Sequence, residues 1–191
     1  IIYDCFKGAN TADSYNKFTL FNGYCPKKGC DPSIINNLGS TPTYTPIMRY
    51  AEVLLSYLEA LNESQPSAID QNILDLTIND IRNRVKLTDI KKADVPTQEL
   101  VREAIRKERR VELAFEGLRY YDVLRWEIAE KELNHTFTGV KLSDDPNARN
   151  YRGSGTAASP VDENMYYQFE KRTWSSHNRY FPIPQNDLNV N

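Results

Sequence analysis

The chain has 191 residues, 40 % of them hydrophobic, which is enough apolar material for a core and excludes wholesale disorder. Lys and Arg number 24 against 26 Asp and Glu, so the formal net charge is -2 and no basic face is on offer to nucleic acid or an anionic membrane. No apolar run approaches the length needed to span a bilayer.

Residues 1–45 lack a helical period. Gly, Pro, Asn and Ser punctuate them between the aromatics Tyr3, Phe6, Tyr15, Phe18, Phe21 and Tyr24. They read as irregular structure with a short strand at 18–21. The opening IIYDCFKG, without a starting Met, is expected to come from a processed or truncated product. The three cysteines are Cys5, Cys25 and Cys30. With no CxxC and no nearby His they do not suggest zinc. A Cys25–Cys30 disulfide and three unpaired thiols both remain open.

Helical patterning begins in TPIMRYAEVLLSYLEALNE, where Ile47, Tyr50, Ala51, Leu54, Leu58 and Leu61 share a stripe. Val53, Leu55, Tyr57 and Ala60 widen that stripe, so the helix is expected between neighbours. A second helix has its start signal at Ser67, in SAID, and its stripe at Ile69, Ile73, Leu74, Ile78, Ile81 and Val85. Thr97 is placed to cap a third helix over 97–116, with Val101, Ala104, Ile105, Val111 and Phe115 inward. Gly117 breaks it, and a fourth helix resumes at Leu118 and runs to about Leu133. Residues 134–178, rich in Asn, Asp, Ser, Gly and Thr, read as a long surface loop with one short element near 165–169. In the tail RYFPIPQNDLNVN, Pro182 and Pro184 impose an extended chain. Helix pairs joined by short loops imply helical-repeat packing without a clean repeat period.

The stretch ERRVELAFEGLRYYDVLRW, 108–126, holds four acids and four bases among its nineteen residues. Glu108, Glu112 and Glu116 step by four, which on a helix points them at or beside the apolar face, where an unpaired charge is costly. Arg109 lies three residues before Glu112, Arg119 three after Glu116 and Arg125 three after Asp122. A glycosidase needs two acids facing each other across a substrate, one with a raised pKa. Acids on successive turns of one helix, alternating with arginines, do not meet that need. The row reads as a structural ion-pair network, with no catalytic residue in it.

Four segments, in order, resemble those of the SusD/RagB family of outer-membrane nutrient-binding lipoproteins. They are YTPIMRYAEVLLSYLEALNE (44–63), INDIRNRV (78–85), IRKERRVELAFEGLRYYDVLRW (105–126) and RYFPIPQNDLNVN (179–191). The resemblance implies a mainly α fold of tetratricopeptide-like helix pairs with long irregular loops. It implies residues 1–44 as the end of a preceding part of the chain and 45–191 as the C-terminal helical region of the family. It further implies a non-enzymatic, cofactor-free protein at the cell surface of Bacteroidetes-type bacteria, lipid-anchored through a part of the chain outside this sequence. Cys5 is a poor anchor, because IIYD before it lacks the small residues of a lipobox. The implied partners are a polysaccharide or oligosaccharide, sometimes a peptide, and a SusC-like TonB-dependent transporter.

Sugar binding calls for exposed rings flanked by amides and acids. Trp174, in the polar KRTWSSHNR, is the leading glycan-binding candidate, with Tyr15 and Tyr24 behind it. The alternative for Trp174 is a ring folded onto the helical core. Family binding sites lie in variable loops, so no binding residue carries over by position. His135 and His177 have no partner at metal-ligand spacing, and no metal is expected. The competing reading is a helical interaction scaffold that ignores sugars.

Overall fold

The computed structural model describes residues 2–4, 24–26, 28, 46–141, 162–164 and 166–180. The chain forms two compact units, one of Pro42–Tyr120 and one of Ile1–Thr41 with Tyr121–Asn191. The fold is mainly helical, as expected.

In the Pro42–Tyr120 unit, α1 spans Tyr50–Ser64 and buries Leu54, Leu55 and Leu58. Ile47 and Tyr50, expected inward, are 99 % and 71 % exposed. Ile47 precedes the helix, and Tyr50 is its first residue, ahead of the turns that pack. Next comes a 3₁₀ turn at Pro66–Ala68 that takes up Ser67, so Ser67 is not the cap. Asp70 caps instead, its carboxylate accepting from the Ile73 amide at 2.9 Å.

The second helix is α2 (Gln71–Leu74), a π-helical turn (Asp75–Asn79) and α3 (Asp80–Arg84) in succession. Thr77, Ile78 and Asn79 are all buried in the π turn. Asn79 uses that position fully. Its Nδ2 donates to Asp75 Oδ1 at 2.7 Å and to the Ile90 carbonyl at 3.0 Å, and its Oδ1 accepts from the Ile90 amide at 2.7 Å. One buried amide thus fixes the connection to the next helix. Val85, expected inward, is exposed, because α3 has already ended at Arg84.

The third helix, α4 (Gln98–Glu112), starts where Thr97 Oγ1 accepts from the Leu100 amide at 3.3 Å. It runs antiparallel to α1. Gln98 at its start exchanges hydrogen bonds with Asn62 near the end of α1, and Glu112 at its end meets Arg49 at the start. Val101 and Ile105 join Leu55, Leu58, Leu74 and Ile78 in the core. Val111 and Phe115 do not, and are 64 % and 66 % exposed. Val111 lies off the stripe at 100° per residue, and Phe115 falls beyond the helix in a left-handed conformation, φ 65°. Gly117, φ 78°, ends the turn as its position suggested.

In the other unit, β1 (Ile2–Asp4) pairs antiparallel with β2 (Tyr24–Pro26). The expected single helix over 118–133 is two, α5 (Arg119–Arg125) and α6 (Ala129–Leu133), separated at Glu127 with φ 57°. The expected loop over 134–178 contains β3 (Thr136–Lys141), antiparallel to β4 (Tyr166–Lys171), with Thr136 opposite Lys171 and register shifts after Phe137 and Thr138. Alternating Thr, aromatic and β-branched residues outweigh the polar composition around them. The Arg172 guanidinium lies 4.6 Å above the Phe137 ring. The strand expected at 18–21, Tyr15, Cys5, Cys30 and the extended tail beyond Tyr180 fall outside the described residues.

Candidate functional site

The acidic row is occupied by arginines from other segments. Glu108 Oε2 accepts from Arg82 at 2.7 Å. Glu112 accepts from Arg49 at 2.8 Å and Arg84 at 2.7 Å. Both Glu116 oxygens accept from Arg49, at 2.7 to 3.0 Å, and Arg49 also caps the Glu112 carbonyl at 2.9 Å. The Glu116 hydrogen bonds, then those of Glu112, raise the Arg49 pKa above its ordinary value against the opposing effect of burial. Arg109, buried, donates to Ser56 Oγ at 3.0 Å and approaches Glu59 at 4.0 Å. Asp122 accepts from Arg125 at 2.8 Å, and Arg119 begins α5.

The arrangement ties the start of α1, the end of α3 and the end of α4 together. It leaves the three glutamates committed to partners. Local i,i+3 spacing pointed to Arg109 as the partner of Glu112; Arg49, Arg82 and Arg84, which come from the first two of the four motif segments, were not singled out.

A different set of side chains lines a cleft in the Tyr121–Asn191 part of the chain. Its volume is about 420 Å³, within the usual range for small-molecule sites. Trp174 lines it, together with the apolar Leu124 and Ala129. Glu127, Glu130 and Arg179 supply its charges, and Ser175 and Ser176 its hydroxyls.

Each element is held in a definite way. The α5 helix ends in a Schellman turn, the Ile128 amide donating to the Val123 carbonyl at 3.2 Å and the Glu127 amide to Leu124 at 3.1 Å. The left-handed position of that motif is normally glycine, yet here it is Glu127. Lys86 has the same conformation after α3 without lining this cleft, so the backbone alone does not mark a site. What distinguishes Glu127 is its ion pair with Arg179, 2.9 Å.

Trp174 is half-buried and braced through its backbone. Asn134 Nδ2 donates to the Trp174 carbonyl at 3.1 Å, and Asn134 Oδ1 accepts from the Trp174 amide. The next residue, Ser175, closes a capping box with Asn178 at the 3₁₀ turn Ser176–Arg179, and that turn carries Arg179 to the cleft. His177 lies 2.9 Å from Ser175 Oγ through Nδ1, and His135 stacks 4.2 Å from Phe137. Among the described residues no group of His, Cys, Asp or Glu has the geometry of a metal site. Trp126 lies beside the Arg125 guanidinium, 4.8 Å from ring centre to carbon.

Of the expected glycan contacts, Trp174 lines the cleft. Tyr24 belongs to β2, whose side chains are not among those described, and Tyr15 lies outside the described residues. Reading the sequence missed Glu127, Glu130, Arg179 and Asn134. A glutamate at the end of a helix carries no signal of its own, and the Asn134 clamp on Trp174 spans forty residues.

Comparison with known proteins adds the following. The SusD family profile matches residues 3–191. A crystal structure of a SusD-like carbohydrate binding protein from Bacteroides fragilis superposes with TM-score 0.76 at 33 % identity, covering 94 % of this chain and 33 % of that one. A second SusD-like protein from the same organism gives TM-score 0.59 at 26 % identity, covering 94 % of this chain and 30 % of that one. SusD-like protein P2 of Formosa agariphila is 34 % identical over 117 residues, 59 % of this chain and 22 % of the relative. The chain therefore spans about a third of the length of these solved relatives. With the profile covering nearly every residue and the helical architecture shared, the chain belongs to the SusD family.

Proposed function

We propose that this chain is part of a non-enzymatic glycan-capture protein at the cell surface, and that the Trp174 cleft is a sugar-binding site within it. One observation carries the reading. A half-buried tryptophan, braced through its backbone, shares a cleft with carboxylates, a guanidinium and hydroxyls, the mixture that a pyranose with one apolar face and a rim of hydroxyls would require. Membership of a family that includes a SusD-like carbohydrate binding protein supports it. The captured oligosaccharide would pass to a SusC-like TonB-dependent transporter, with the protein held at the outer membrane by a lipid on a part of the chain outside this sequence. Residues 1–44 would then close the preceding part of the chain, and 45–191 form its C-terminal helical region.

Hydrolysis is not supported. Glu108, Glu112 and Glu116 are bound to arginines, and Glu127 is bound to Arg179. A scaffold reading draws on the outward stripe of Tyr50, Val53 and Tyr57 on α1, 71 %, 46 % and 53 % exposed. Calorimetric titration against plant, host and microbial polysaccharides separates the two. Binding to a glycan that disappears in Trp174→Ala supports capture, whereas silence across the panel supports the scaffold. Release of reducing ends on incubation would contradict the non-enzymatic assignment.

A further inference from the structure

Which sugars such a cleft would admit depends on its charge. Among the described residues, the charged side chains that line it are Glu127, Glu130 and Arg179. Arg179 is the single cation of the set, and its Nη1 is already 2.9 Å from Glu127 Oε1. Those two neutralise each other. Glu130, at the second position of α6, is exposed, and among the described residues no ion pair or hydrogen bond reaches its carboxylate. Among the described residues, the lining therefore carries one net negative charge, with no lysine and no second arginine to offset it.

We infer that the cleft selects uncharged sugars and turns away uronates and sulfate esters. The inference rests on the sugar-binding reading above. An incoming carboxylate or sulfate would meet Glu130 directly. It could reach the Arg179 N–H groups that Glu127 leaves free, but only with Glu127 and Glu130 beside it, so that two carboxylates and the ligand's own charge would share one guanidinium. A neutral pyranose adds no such charge. Carboxylate oxygens of Glu130 accept hydroxyl protons, and the remaining N–H groups of Arg179 donate to hydroxyl oxygens, while the Glu127–Arg179 pair stays intact. The low-polarity wall of Leu124, Ala129 and Trp174 strengthens the repulsion relative to open water. Because Glu130 is exposed and Arg179 and Glu127 are about half in water, salt reaches them, and the discrimination should weaken as ionic strength rises.

The test uses the full chain and pairs of glycans matched in backbone and differing in charge. Suitable pairs are fully methyl-esterified against de-esterified homogalacturonan oligosaccharides, and desulfated against sulfated carra-oligosaccharides. Titration calorimetry is run at low and high salt on the parent, Glu130→Gln and Trp174→Ala. The expected result is that, in any pair that binds, the uncharged member binds at least tenfold tighter. Glu130→Gln should narrow that gap severalfold, as should added salt, and Trp174→Ala should abolish both. If the acidic member binds as well or better in the parent and Trp174→Ala removes that binding, the charge selection is wrong and the sugar site stands. If every glycan is silent, the site and its selectivity fall together.

Discussion

Two regions of this molecule use the same residue types for opposite ends. In the Pro42–Tyr120 unit, Glu108, Glu112 and Glu116 meet Arg82, Arg84 and Arg49 across three helices, and the Glu108, Glu112 and Glu116 side chains are only 8 to 10 % exposed. In the cleft, Glu127 and Arg179 are 68 % and 49 % exposed, and Glu130 has open solvent beside it. Burial makes the difference. A carboxylate withdrawn from water needs each of its lone pairs satisfied, and once satisfied it resists rearrangement. A pair left half in water is worth little to the fold and can exchange partners with a ligand. Carboxylate rows are thus poor guides to function until their partners are known.

Removing one member of the buried network should have the largest effect. In Glu112→Ala, Arg49 and Arg84 each lose a partner, and the loss should be about 3 kcal/mol, read as a lowered midpoint in chemical denaturation. A midpoint equal to the parent's would remove the network from any role in stability. In the cleft the balance reverses. Trp174→Ala should weaken glycan binding by tenfold or more, about 1.4 kcal/mol per factor of ten, while shifting the denaturation midpoint far less than Glu112→Ala does.

A finer distinction comes from the two left-handed helix ends. Glu127→Gly and Lys86→Gly both relieve a backbone conformation that suits glycine, and each should leave stability unchanged or raise it by up to about 1 kcal/mol. Only Glu127→Gly should weaken sugar binding, since it alone removes a cleft group. Equal effects on binding from the two variants would mean that Glu127 has no role in the site.

The smallest expected effect is on pH dependence. The Arg102 hydrogen bond lowers the Glu63 pKa, the Arg172 hydrogen bond lowers that of Glu170, and Asn79, then Gln71, lower that of Asp75. A carboxylate depressed in the folded state contributes stability above its unfolded pKa, about 4, and loses it as pH falls through the folded value. Melting temperature should therefore hold from pH 8 to 5 as far as these groups decide it, and fall below about pH 4. A melting temperature that rose on acidification in that range would reverse the sign.

Much of the helical unit was legible because its signals are local. Thr97 caps α4 and Gly117 takes a positive φ at the end of the following turn. Ser67 misled because the same chemistry recurs at Asp70, and Ser67 is taken up by the 3₁₀ turn that precedes the helix. β3 was hidden because its partner lies about thirty residues away, beyond any local window. The true partners of Glu108, Glu112 and Glu116 are long-range for the same reason. Trp174 could be singled out as a ring in polar sequence, but the groups around it assemble only in three dimensions.

The most direct test of the cleft follows the indole itself. The chain has two tryptophans, so Trp126→Phe leaves Trp174 as the sole indole reporter. Titrating that variant with a glycan shown to bind by calorimetry should give a saturable change in tryptophan emission, with the same midpoint as the heat. Calorimetric binding without any change in emission would put the sugar elsewhere and contradict the assignment of the cleft.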